Sequence, residues 1–183
     1  MPRQSLDKTK IIETAVHLAN AQGLEQVTLA ALAKQLGIKT PSLYNHIDGM
    51  SGLKKELALY GIQKLKEQLT QAAIGKSGDK ALFSIGTAYV SFARTHPGLY
   101  EATLPVSHDP DIQEAGDGIV KLLLRVLEEY NLQEEEALHV VRGIRSLVHG
   151  FASLELKGGF GLSLDHDESL KRLLQTYLCG LRG

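Results

Sequence analysis

The chain has 183 residues, of which 43% are hydrophobic, 22% charged and only 5% aromatic, with no Trp and a single cysteine, Cys179. One cysteine excludes an internal disulfide, and no apolar run approaches the ~20 residues that a bilayer-spanning helix needs. The net charge of -1 hides an asymmetry: seven Lys or Arg stand against four acids through residue 55, while the remainder carries 13 basic and 17 acidic residues. A basic N-terminal module therefore precedes an acidic body, and the polar start MPRQSLDKTK lacks the apolar core of a signal peptide, so the expected location is the cytoplasm.

Recurrent Leu, Ala and Glu with few β-branched clusters favour an all-α fold. From Leu6 to Gly23, the residues Ile11, Ile12, Ala15, Val16, Leu18 and Ala19 recur at helical spacing, and Gly23 supplies a stop. Thr28 has the chemistry of an N-cap for a short second helix with Leu29, Leu32, Ala33 and Leu36 inward and Gly37 at its end. Pro41 has no N–H to donate, which suits the first turn of a third helix whose Leu43 and Ile47 point inward. Three helices within about 47 residues, the last two joined by a tight turn at Gly37, make a helix-turn-helix pattern.

Asp48 to Ser51 read as a turn, and Leu53 opens a longer helix with Ala58, Ile62, Leu65 and Leu69 on one face, running to about Ala73. A loop over 75–79 leads into a helix carrying Leu82, Ile85, Tyr89 and Phe92, ended before Pro97. A short helical piece, PGLYEATL, follows. Ile119, Leu122, Leu123, Val126, Leu127 and Tyr130 then form one amphipathic stripe, with Asn131 as its cap.

The helix from about Gln133 to Lys157 has two apolar faces, Val140, Ile144, Leu147, Phe151 and Leu154 on one and Ala137, Val141, Val148 and Ala152 on the other. Cover on both sides is expected, one face meeting the chain's own core and the other something else. Gly143 and Gly150 would let another helix come close. The last helix, Glu168 to Leu181, repeats Leu170, Leu173, Leu174, Tyr177, Leu178 and Leu181 at helical offsets. These two helices are the expected homodimer interface, through Val148, Ala152, Glu155, Leu170, Leu173, Leu174 and Tyr177.

The stretch IIETAVHLANAQGLEQVTLAALAKQLGIKTPSLYNHI carries a G-x-x-x-x-T link, an A-x-x-L-G-I turn and a third helix of the form PSLYxH. Over the first ~55 residues the chain resembles the TetR family of bacterial transcriptional regulators. The later LVHGFASLELKGGFG resembles the C-terminal type of one branch, with a [W/V]-H-G signature. The resemblance implies an all-helical homodimer, divided here into a helix-turn-helix domain over residues 1–50 and a larger effector-binding and dimerisation domain over 51–183. It further implies contacts to a palindromic duplex operator: Thr28, Tyr44 and His46 on phosphates, and Lys39, Thr40, Pro41, Ser42 and Asn45 facing the groove. Hydroxyls and amides at a helix start can reach phosphates or base edges, and a lysine can meet guanine O6/N7 or a backbone oxygen. Where many relatives carry a lysine four residues after the histidine, this chain has Met50, so Lys54 and Lys55 are the candidates for that phosphate contact.

Candidates for an effector pocket are Tyr89, Phe92, Arg94, Tyr100, Leu123, His149 and Phe151. An aromatic stripe also serves as plain core, and His149 reads equally as a core or twofold-paired histidine and as a polar handle on a ligand. The histidines beside acids at 108–111 and 165–168 have neither Cys nor an i, i+4 His partner, so capping and solvation are expected and no metal or other cofactor. No nucleophile with a base, placed carboxylate pair or phosphate-cradling glycine loop is present in the pattern, which argues against an enzyme. The alternative is a helical small-molecule-binding protein or enzyme that retains a vestigial helix-turn-helix.

Overall fold

The structure, a computed structural model, describes residues 6–181. Its helices are α1 (Lys8–Gln22), α2 (Leu29–Leu36), α3 (Gly49–Ala73), α4 (Gly78–Thr95), α5 (Pro97–Ala102), α6 (Pro110–Leu127), α7 (Glu134–Leu156) and α8 (His166–Gly180). Among the described residues there is no strand, so the fold is all-α as expected.

Local chemistry sets the boundaries. Asp7 caps α1 by accepting from the Lys10 N–H at 2.8 Å, and Thr28 Oγ1 accepts from Ala31 N–H at 3.1 Å. Gly37 ends α2 in the left-handed region at φ 67°, where its missing Cβ removes the steric penalty. Asn131 takes the same role after α6 at φ 53°. The turn expected over Asp48 to Ser51 is instead the onset of α3, because Gly52 N–H already donates to Asp48 O at 3.0 Å. Likewise α4 begins inside the expected loop, at Gly78.

The described residues form two compact units: those up to 63 together with 96–113, and 64–95 together with those from 114 onward. The division expected after residue 50 therefore differs from the compact bodies, and the packing explains why. In unit one the core holds Ile11, Ile12, Ala15, Leu18, Val27, Leu32, Leu43 and Ile47, but also Leu53 and Leu57 from α3 and Ala102 from α5. A Cβ at Gly98 would overlap the Ala19 carbonyl, so only glycine lets α5 seat on α1. Asn20 Oδ1 then accepts the Leu99 N–H at 3.0 Å. Farther along α3, Gly61 lies against Leu99 and Thr103.

Unit two is built on α4, which packs against both α7 and α8. A Cβ at Gly86 would lie 2.7 Å from Leu174 Cδ2 and 3.4 Å from Val148 Cγ1. Phe92, Val148, Phe151, Ala152, Leu170, Leu174 and Leu178 are all buried there. Both apolar faces of α7 are thus largely consumed inside one chain: Ala137, Val141, Val148 and Ala152 are buried, as are Val140, Ile144 and Phe151.

Candidate nucleic-acid interface

The third segment of the helix-turn-helix departs from the sequence expectation. Thr40–Asn45 is a six-residue 3-10 helix, not an α-helix, with Lys39 at its N-cap and Pro41 in its first turn. Ser42 N–H donates to Lys39 O and His46 N–H to Leu43 O, each at 2.9 Å, the i to i+3 pattern. Pro41 cannot join a ladder of i to i+4 bonds, and a segment this short is held by one deep anchor rather than by its own hydrogen bonds. That anchor is Leu43, fully buried in the core of unit one.

Three residues per turn sorts the side chains into three rows. Thr40, Leu43 and His46 make the inner row, with Leu43 buried and the other two half-buried. Lys39, Ser42 and Asn45 make a second row, in which Lys39 and Asn45 are exposed and Ser42 half-buried, and Pro41 and Tyr44 a third, both exposed. Tyr44 is 59% exposed although it is a large aromatic residue. One row fixes the helix, and two rows offer an ammonium, an amide, a hydroxyl and a phenol outward.

Around it, Thr28 is exposed with its hydroxyl oxygen holding the start of α2. Lys54 is exposed on α3. Lys55, by contrast, binds Asp109 and Asp111, each at 2.7 Å, so its ammonium is already occupied within unit one. Hydrogen bonds donated to those two carboxylates hold the Lys55 pKa above the ordinary lysine range, and Lys55 in turn holds Asp109 below the usual carboxylate range. Met50 packs its half-buried side chain against the core, which an ammonium could not do without desolvation. Of the two lysines considered in its place, Lys54 is the one left outward.

The expected effector-pocket residues fall in both units. Tyr100 belongs to unit one, whereas Tyr89, Phe92, Arg94, Leu123, His149 and Phe151 belong to unit two. Phe92, Leu123 and Phe151 are buried core, and Tyr89 and His149 are half-buried. Arg94 is held by carboxylates: Nε and Nη2 grip Glu155 at 2.7 and 2.8 Å, and Nη1 reaches Asp167 at 2.6 Å. His166 Nδ1 lies 2.8 Å from the same Glu155, and its ring meets Phe160, which packs on Phe151. The Arg94 guanidinium keeps the Glu155 carboxyl below its usual range.

Most of the expected dimer residues are already engaged within their own chain. Val148, Ala152, Leu170 and Leu174 are buried by their own chain, and Glu155 is bound to Arg94. Tyr177 donates its hydroxyl to Val140 O at 3.1 Å, and burial pushes its pKa up. Leu173 is half-buried. The space beside Gly143 is filled by Tyr177, whereas a Cβ at Gly150 would meet nothing within 4 Å.

Two surface clefts escaped the sequence reading because each joins residues far apart in the chain. One, of about 430 Å³ in unit one, is lined by Lys10, Glu13, Thr14, His17, Gln35 and Leu36. The other, of about 470 Å³ in unit two, lies between α4 and α8. Among the described residues no group of three or more His, Cys, Asp or Glu is placed to hold a metal ion, and no helix is long and apolar enough to cross a membrane.

Residues 11–57 match the family described as bacterial regulatory proteins, tetR family, and residues 82–177 match the tetracyclin repressor-like C-terminal domain. The chain is also 40% identical over 181 residues to the uncharacterized HTH-type transcriptional regulator YobS of Bacillus subtilis, covering 98% of this chain and 95% of that one. This chain belongs to the TetR family. It is therefore a transcriptional regulator of the helix-turn-helix type and not an enzyme. Two solved structures share the fold. A protein of unknown function from Rhodococcus sp. RHA1 has a TM-score of 0.86 at 21% identity, with all of each chain covered. A singly substituted TetR from Acinetobacter baumannii AYE, in complex with minocycline, has a TM-score of 0.74 at 18% identity, covering 98% of this chain and 99% of that one.

Proposed function

We propose that this TetR-family regulator acts in the cytoplasm as a homodimeric repressor that binds a palindromic operator and leaves it when a small-molecule effector binds. The observation that carries the reading is the 3-10 helix anchored by buried Leu43, which turns Lys39, Asn45 and Tyr44 outward from a basic module. In this reading Lys39 and Asn45, with Ser42, meet base edges in the major groove, while Thr28, Tyr44, His46 and Lys54 meet phosphates, and Thr40 and Pro41 set the docking of the turn. Two such modules reach successive major grooves when half-sites lie roughly 34 Å apart.

The second chain, in the same reading, covers a stripe of α7 that its own chain leaves open: half-buried Leu147, open Gly150 and exposed Leu154, with Leu173 of α8 as a further contact. Spacings of three and four put the three α7 residues on one face. The effector in this reading is a small molecule, and its preference for one of two dimer states sets how much operator stays bound; the TetR of the same fold from Acinetobacter baumannii AYE was solved in complex with one, minocycline.

Selection of bound duplexes from a random DNA pool tests this directly. The native chain should enrich one palindrome, and a Lys39→Ala, Tyr44→Ala variant at the same salt should enrich none. Equal enrichment by both chains would remove the 3-10 helix from the interface.

A further inference from the structure

α4 and α8 run antiparallel in unit two. Arg94 near the end of α4 binds Asp167 in the first turn of α8 at 2.6 Å, and midway Gly86 admits Leu174. Toward the start of α4 and the end of α8 lies the cleft of about 470 Å³, lined by Lys76, Lys80, Phe83, Gln175, Leu178 and Cys179, with Asp79 and Ser84. That volume falls in the range of small-molecule sites, roughly 300–1,000 Å³. None of the residues expected to form an effector pocket lines it.

Its chemistry is divided between an apolar body and a cationic rim. Phe83 and the buried Leu178 present ring and methyl groups, while Lys76 and Lys80 are exposed ammonium groups. Lys76 donates one hydrogen bond to Ala72 O at 2.8 Å, which leaves two of its three N–H donors. Asp79, the carboxylate in this lining, accepts from the Tyr130 hydroxyl. A neutral apolar guest would gain nothing from the lysines, and a cation would be repelled by them. A carboxylate on an apolar body satisfies both halves, through charge-assisted hydrogen bonds at one end and area burial at the other.

We propose that this cleft is a binding site for an anionic aryl or alkyl acid, with its apolar body on Phe83 and Leu178 and its carboxylate against Lys76 and Lys80. The site is independent of the DNA reading and needs no operator to be tested.

Cys179 reports occupancy, because it is the chain's single cysteine, it is exposed, and it lines the cleft. Iodoacetamide alkylates it as the thiolate sulfur forms a bond to the methylene carbon and iodide leaves. The measurement is the alkylation rate of the full chain with 2-naphthoate, with neutral 2-naphthamide, and with neither. At ten times its dissociation constant the naphthoate should slow the reaction about tenfold, since about one site in eleven is then empty. The amide should leave the rate unchanged. In a Lys76→Glu, Lys80→Glu variant, whose exposed positions leave the core untouched and whose melting curve verifies the fold, protection should vanish. An unchanged rate with naphthoate, equal protection by the amide, or protection that survives in the variant would each overturn the proposal.

Discussion

Leu43 and Tyr44 are neighbours with opposite duties, and single substitutions should separate them. Leu43 is fully buried, so Leu43→Ala removes its methyl groups and leaves a cavity, and should cost about 2–5 kcal/mol in urea denaturation. Tyr44→Ala removes an exposed ring and should change stability by no more than about 0.5 kcal/mol while abolishing operator binding in an electrophoretic shift. A Tyr44 variant that binds normally would sever exposure from function here. Glu155 gives a second residue-scale test, in pH. Its carboxyl is held below the ordinary range, chiefly by the hydrogen bonds from Arg94. A depressed folded pKa means the unfolded chain binds the proton more readily, so the stabilisation is present above the unfolded value of about 4.3 and is lost as pH falls through the folded one. Wild-type melting temperature should therefore drop more steeply below about pH 4 than that of Glu155→Gln, and parallel curves would show that the pair contributes nothing to the fold.

At the scale of the element, α7 shows how a glycine can serve its own chain or a second one. The Tyr177 hydroxyl and ring sit against Gly143, so Gly143→Ala forces that ring away and should lower the melting temperature despite alanine's better helix propensity. Gly150 has open space, so Gly150→Ala should raise stability by up to about 1 kcal/mol if nothing covers it. Under the proposed dimer, Gly150→Leu instead splays two helices apart, and light scattering should report one chain in place of two. A Gly150→Leu protein that keeps the dimer mass would move the interface elsewhere. The two glycines look alike in sequence, and so do the two apolar faces of α7. Periodicity reports that a face is covered, not whether α4, α8 or another copy covers it, which is why Val148, Ala152, Leu170 and Leu174 read as interface and are core. The caps were legible, because Thr28, Gly37 and Asn131 act through their own backbone or the turn beside it. Pitch was not: nothing local in TPSLYN distinguishes a 3-10 turn from the start of an α-helix until the buried Leu43 and the onset of α3 at Gly49 confine it to six residues.

For the whole molecule, the consequential fact is that the body holding the helix-turn-helix is discontinuous in sequence. Residues 96–113 belong with residues 1–63, through Gly98 seated on Ala19, Ala102 in the core and Lys55 bound to Asp109 and Asp111. No linear reading could find that, since the matching residues are separated by the whole of α4, and the family pattern itself stops at residue 57. The arrangement makes a prediction that a simple N-terminal domain would not. Fragment 1–63 leaves the α5 side of α1 bare, exposing apolar surface that a body this small depends on for stability. It should show no cooperative thermal transition by circular dichroism at about 222 nm, the wavelength that reports peptide groups in helices. The same fragment joined through a flexible Gly/Ser linker to residues 96–113 should regain one, and with it measurable, salt-sensitive affinity for a duplex that carries the operator half-site. If 1–63 alone melts as sharply as the linked version, then 96–113 is only laid on the surface, and the two-segment body has no energetic meaning. If the linked version melts sharply and 1–63 does not, an effector that disturbs 96–113 would act on the helix-turn-helix body from inside it. Coupling between effector and operator would then require no separate relay.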